Sequence, residues 1–330
     1  MTVLTTPAQP GHGQGLRPVR WRRLAWVSWR QYRPSAAGTA AFLGVLALYL
    51  LIMGLRIRSA YAAATACSGS GNACHVVLNL FNNDYHNAAE ITAAVLNAVP
   101  VLAGVFAGAP ILARELDSGT FRFTWTQGAG RTRWALARLA LPAVTVTAAA
   151  AAFSQLFGWY FYPFFAAGQA GVFAPQYFNL TGIAFAAWTL AAFAIGALAG
   201  VLIRRVVPAL AAAMAACAGL LGATVFYLRP HYQAPLAIHN GGQGGTGAAP
   251  WVISQYWTGP HGQRITDINQ LVGILQTSPA VDAQRGYTEW TTYQPVTRYW
   301  HFQFIEGGWV LVLSLLLIAA TIWLVRRRAA

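Results

Sequence analysis

The chain has 330 residues, 56% hydrophobic and 9% charged, with a formal net charge of +14; an average soluble domain is about 25% charged, so this composition belongs to an integral membrane protein. All 22 basic residues are Arg, and a chain with no Lys has no Walker-A phosphate loop and no chemistry that needs an amine side chain. The arginines stand in short clusters beside apolar runs, the pattern of membrane orientation rather than of a basic nucleic-acid surface, so nucleic acid is not an expected partner.

Residues 1–15 show no periodicity and read as a disordered tail, not a signal peptide. Over 16–35, at about 100° per residue, Arg22, Arg23, Arg30 and Arg33 gather on one side while Trp21, Leu24, Ala25, Val27 and Tyr32 take the other. That pattern predicts an amphipathic interfacial helix; a basic flank that only sets topology is the alternative. Six apolar segments follow: Ala36–Leu55, Ile91–Ala113, Leu136–Phe157, Ile183–Ile203, Val206–Leu228 and Gly307–Val325. Each is near the roughly 20 residues that cross a bilayer. Spans one to five fill 36–228, with a charged segment, 114–134, between the second and third. An outer segment covers 229–306, and 307–330 holds the last span and a basic C-terminus. With the N-terminus inside, 16 of the 22 arginines fall on the inner side, so both termini are expected to be cytoplasmic in a multi-pass cell-membrane protein.

Arg204 and Arg205 alone separate spans four and five, which implies a tight helical hairpin. Gly104 with Gly108 and Gly196 with Gly200 have the spacing that lets membrane helices approach closely. Pro100 and Pro110 predict a kink in span two. In the first outer segment, Arg56 to Glu90, Cys67 and Cys74 are a candidate disulfide, with free thiols as the alternative. Cys217 reads as a small buried residue. In 229–306 a Gly-rich run is followed by Ile265, Ile268, Leu271, Val272 and Leu275, an amphipathic helical stripe. Tyr287, Trp290, Tyr293, Tyr299, Trp300, Phe302 and Phe304 then suit a membrane interface or an outer cap.

The central parts of the spans carry no ionisable residue, which argues against proton coupling and intramembrane proteolysis. The outer His, Asp and Glu show no metal-ligand spacing. Neither a catalytic nor a metal site is expected, and the chain does not read as an enzyme.

The segment Arg114 to Trp134, RELDSGTFRFTWTQGAGRTRW, is the longest charged interruption between two apolar runs and reads as a cytoplasmic docking segment. Its Glu115, Gly119, Thr120, Gln127 and Arg131, with Arg138, resemble the E-x-x-x-G-T … R pattern of permeases of ABC-2 type transporters, in particular their actinobacterial branch. YQPVTRYWHFQFIE, Tyr293 to Glu306, is similar to the segment before the last span in the same branch, and the resemblance covers Trp21 to Arg328. Gln127 departs from it, since many of these permeases have Pro there. The resemblance implies an all-α integral membrane protein with six transmembrane helices, an N-terminal amphipathic helix, a cytoplasmic coupling helix and a large extracellular loop between helices five and six. It also implies a half-transporter in which two permease copies rest on a separate ATPase subunit that carries ATP and Mg, this chain holding no cofactor. Arg114, Glu115, Asp117, Gly119, Thr120, Gln127, Arg131, Arg133 and Trp134 would then couple to the ATPase. Spans two and five would line a substrate seam, with Asn97, Phe106, Met214, Thr224 and Phe226 as its candidate lining. Uncharged spans suit a small-molecule substrate that is amphipathic or hydrophobic, as in multidrug efflux or lipid export. The alternative is a channel, scaffold or lipid-organising protein with no energy source.

Overall fold

The structure is a computed structural model that describes residues 21–67, 72–118, 131–168, 170–239, 250–276, 281 and 284–328. Six helical stretches are long and apolar enough to cross a membrane, and the protein is an all-α integral membrane protein in its spanning part. The first helix, α1 (Trp21–Thr65), has 45 residues, about 68 Å at 1.5 Å per residue and roughly twice the hydrocarbon thickness. From Trp21 onward, the helix expected over 16–35 and the first span are one helix without a backbone break.

The first outer segment is helical where a loop was expected. There α1 continues to Thr65 and α2 (Asn72–Leu96) returns beside it. The reason lies in amphipathic spacing: Phe81, Ala89, Ala93 and Leu96 are buried along one face of α2, while Asn83, Asp84 and Asn87 are exposed. Cys67 and Cys74 are joined at the tip of this hairpin, with a Cα–Cα distance of 5.7 Å. The chain then breaks at Asn97 and Ala98 before α3 (Val99–Ser118). Pro100 thus falls in the first turn of α3, where a missing N–H loses no helical bond, and Pro110 lies within that helix.

The fourth helix, α4 (Arg131–Ala166), packs along α1, with Phe153, Phe157 and Phe161 buried. After the short α5 (Pro175–Phe178) comes α6 (Gly182–Ile203), which is apolar on every side and therefore belongs inside. It sits between α3, α4, α7 (Val206–Ala223) and the last helix. Its tightest contact is with α3, through interleaved glycines: Gly104 faces the Thr189 carbonyl and Phe193 N, while Gly200 faces the Ala109 carbonyl. Arg204 ends α6 in the left-handed conformation, φ 59°, its N–H on the Gly200 carbonyl at 3.1 Å, so α7 can begin at once.

Beyond a π-helical turn (Thr224–Leu228), the outer segment forms a sheet that the sequence reading did not foresee. Strands β1 (Leu236–His239), β2 (Trp251–Thr258) and β3 (Thr288–Gln294) are antiparallel in the order β1-β3-β2. Tyr256 pairs with Trp290 and Leu236 with Tyr293; Thr and aromatic residues fit such a half-buried pleat. Trp290 and Tyr293, expected in an outer cap, are thus strand residues. The amphipathic stripe forms α8 (Ile268–Leu275), whose N-cap Asp267 accepts from Asn269 N at 2.8 Å. The last helix, α9 (Tyr299–Arg328), starts eight residues ahead of the apolar span it contains.

Candidate functional site

At the arginine-rich end, α3 and α4 bracket the charged segment. Acidic Glu115 and Asp117 close α3, and basic Arg131 and Arg133 open α4. Both placements oppose the helix macrodipole, which favours acids at N-termini and bases at C-termini. Helix stability therefore does not account for them. Glu115 forms an ion pair with Arg138, two turns beyond the start of α4, both side chains being largely buried. Trp134, only 3% exposed, packs in a cluster with Leu112, Ala135 and Leu139. A charge pair and an indole thus hold the two ends of the segment at a fixed spacing, while Arg114, Asp117 and Arg133 stand exposed. Arg131 is the first residue of α4; Gly119, Thr120 and Gln127 lie outside the described residues.

The residues proposed for a substrate seam divide into two groups. Asn97 is structural: its Nδ2 donates to the Ala93 and Gln176 carbonyls, each at 2.8 Å, and so fastens the α2–α3 break to α5. Thr224 is fully buried, its hydroxyl donating to the Leu220 carbonyl at 2.8 Å. Thr224 thus lines no open surface, and the donor side of the Asn97 amide is already engaged. Phe106 (55% exposed), Met214 (39%) and Phe226 (76%) do face outward. Phe106 and Met214 directly follow Val105 and Ala213, which share one buried cluster, so the two side chains flank the α3–α7 contact. A small apolar crevice lies elsewhere, between α1, α3, α4 and α6, lined by Leu43, Pro100, Ala103, Ala150, Phe153 and Thr189 among others.

The opposite end holds a polar network that span hydropathy did not reveal. Arg229, 1% exposed, grips Glu306, 0% exposed, through Nε to Oε2 at 2.9 Å and Nη2 to Oε1 at 2.7 Å. The same Nη2 donates to Asn179 Oδ1 at 2.6 Å, and the guanidinium lies 4.2 Å from the Phe178 ring centroid. Trp188 Nε1 donates to Glu306 Oε1 at 2.9 Å. Tyr232 makes a longer 3.4 Å bond to Oε2 and accepts from Trp309 Nε1 at 2.9 Å. Burial, followed by the Glu306 charge, pushes the Tyr232 phenol above its ordinary value. Beside it Gln303 accepts from Ala184 N at 2.9 Å, satisfying a free donor at the start of α6. In sequence, Arg229 and Glu306 are a charge just past one span and another just before the next, 77 residues apart. The available signal was that both lie within reach of Trp and Tyr at span margins.

A second polar group lies on α2, where Tyr177 donates to Glu90 and His86 Nε2 lies 3.4 Å from the same carboxylate oxygen. Burial is also the main cause that raises the Tyr177 phenol. Among the described residues no group of three or more His, Cys, Asp or Glu side chains could hold a metal ion.

A family model described as ABC-2 membrane transporter related matches residues 40–229 of this chain. No curated protein and no solved structure matches it.

Proposed function

The chain belongs to the ABC-2 membrane transporter related family and is therefore a membrane permease of an ABC transporter; from that premise we propose that it is the transmembrane half of an ATP-driven exporter, coupled to its ATPase through the 114–134 segment. An ABC ATPase partner follows from the family in general. The observation that carries the coupling assignment is the bracket at the arginine-rich end: the Glu115–Arg138 pair and buried Trp134 fix the ends of the segment, and Arg114, Asp117 and Arg133 are exposed around it. Charges that oppose the helix dipole, yet stand on a rigid base, suit charge-assisted contacts to a protein partner, each about 1.5–3 kcal/mol.

Arginine asymmetry supports a cytoplasmic position for this end and for both termini. Two permease copies are proposed to meet along α3 and α7, where Phe106 and Met214 face outward, and an amphipathic or hydrophobic compound to pass along that seam. The test reconstitutes the permease with its partner ABC ATPase. Arg131→Ala and Glu115→Ala are expected to retain membrane insertion and ATP hydrolysis but to lose transport. Wild-type transport by both variants would remove the docking role. Cysteines placed along α7 should cross-link between copies on one helical face, and absence of cross-linking at every position would remove the seam.

A further inference from the structure

The outer-segment ends of α6, α7 and α9 meet at one buried ion pair, and we propose that Arg229 and Glu306 are positioning residues for transport. They form a clasp that holds the far end of the fifth span against the fourth and sixth and lets it go during the cycle. This rests on the reading of the chain as a transporter permease.

The body of α7 is lightly held. Its buried side chains are Ala209, Ala213 and Cys217, one small residue per turn, and so few atoms give little dispersion energy. At the far end Arg229 ties the span to α9 through Glu306, to the turn after α5 through Asn179 and to the ring of Phe178, and Tyr232, three residues on, adds weaker bonds to Glu306 and Trp309. Glu306 is in turn fixed to α6 by Trp188. The position of that end therefore depends on contacts that converge on Glu306, the bidentate one chief among them.

The chemistry of the tie points to release rather than to permanent fastening. Desolvating two charges cancels much of their attraction, so an apolar pair of the same volume would hold these helices at least as firmly. A bidentate pair has instead a steep, two-state character, since a small separation breaks both hydrogen bonds together. Arg229 Nη1 is buried with no hydrogen-bond partner among the described residues, so the closed arrangement leaves one donor unsatisfied. The backbone beside it also departs from α geometry: a π-helical turn at Thr224–Leu228 leads into a 3-10 turn at Arg229–His231 that contains Pro230. Such departures mark places where a helix can rearrange.

Cys217 reports on this directly. It is 2% exposed and packs with Val105 and Ala192 of α3 and α6, and Cys67 and Cys74 are bonded to each other. A maleimide applied without reductant to the full chain in vesicles therefore has one free thiol to find, and that thiol is uncovered when α7 swings away. We expect slow labelling of the resting wild type. Glu306→Gln should label faster by about tenfold or more, the factor that each 1.4 kcal/mol lost by the closed state produces. In the complete transporter the same variant should go on hydrolysing ATP with transport reduced relative to hydrolysis. Unchanged labelling of Cys217 in Glu306→Gln would overturn the clasp. Should that variant fail to insert, Trp188→Phe removes one hydrogen bond to the carboxylate and leaves both charges paired; it should give a smaller rise, and no rise there would overturn the clasp equally. Resting labelling needs neither ATPase nor substrate, so its failure leaves the transport reading standing. Absence of transport by wild type, with labelling as expected, would refute the transport reading instead.

Discussion

Gly104→Ala puts a sharp question to the contact between α3 and α6. A Cβ at Gly104 would lie 2.6 Å from Ala192 Cβ, 2.6 Å from the Thr189 carbonyl oxygen and 2.8 Å from Phe193 N. Two of these obstacles are main-chain atoms that cannot rotate aside. Ordinary Cβ contacts begin near 3.4 Å, so the backbones must part by about 0.8 Å, from 3.4 minus 2.6. A gap of roughly 0.5–1 Å forfeits a quarter to a half of the dispersion attraction across it, and overpacking a tight interior costs about 1–3 kcal/mol. Helix propensity returns about 0.8–1 kcal/mol for Gly to Ala. The net expectation is a loss of up to about 2 kcal/mol. Gly219→Ala is the matched control, because this α7 glycine has nothing within 4 Å of its built Cβ and the same substitution there should be neutral or stabilising. Reversible unfolding of both variants in mixed micelles, followed by circular dichroism, measures the difference. If Gly104→Ala unfolds at the same denaturant fraction as Gly219→Ala, close glycine packing is not what holds α3 to α6.

Three further outcomes are expected. Glu115→Ala and Arg138→Ala should each destabilise the bracket, and a double-mutant cycle should show a coupling of about 0.5–3 kcal/mol; additive effects in the unfolding measurement would mean the ion pair is not formed in the membrane. Reducing the Cys67–Cys74 bond should lower the local stability of the α1–α2 hairpin by roughly 2–3 kcal/mol for so short a loop, and recovery of both cysteines as alkylated free thiols from unreduced protein would contradict the bond. Tyr177 and Tyr232 have folded-state values raised above 10.0, so the stability they contribute is present in full below about pH 10 and is lost as pH rises above it. Spectrophotometric titration of phenolate should accordingly lose a late-titrating component in Tyr232→Phe, and a titration identical to wild type would rule out the buried phenol.

The spans were legible because about 20 uncharged residues in a row have few places to go but a bilayer, and α6 agrees with its expected limits to within one residue. The glycine spacings were legible for the same reason, as close approach requires small side chains at one-turn intervals. What escaped was structure outside the hydrocarbon. Polar residues such as Asn82, Asn83 and Asp84 lower the hydropathy of α2, although Phe81, Tyr85 and Ala89 give it a buried face. The alternation of Thr and aromatic residues in TEWTTYQ is a strand signal, but beside a span it resembles an interfacial belt. Asn97 shows the limit within the membrane: composition marks it as a polar lining residue, and only the placement of Gln176 reveals that its amide is occupied. The Arg229–Glu306 pair joins residues that no local pattern connects.

The unbroken course of α1 makes it a lever with unequal arms. On the side of the disulfide hairpin it is anchored by Leu50, Ile57 and Ala64, all buried, whereas Phe42 and Val45, nearer the other end, are 59% and 68% exposed. About a fulcrum at Leu50, the arm to Trp21 is about 43 Å and the arm to Thr65 about 22 Å at 1.5 Å per residue. A tilt of about 5° displaces the first end by about 4 Å and the second by about 2 Å on these arms. Small rotations of the anchored half are thus doubled at the arginine-bearing half, and the helix can sweep an arc there with no change in its own hydrogen bonding.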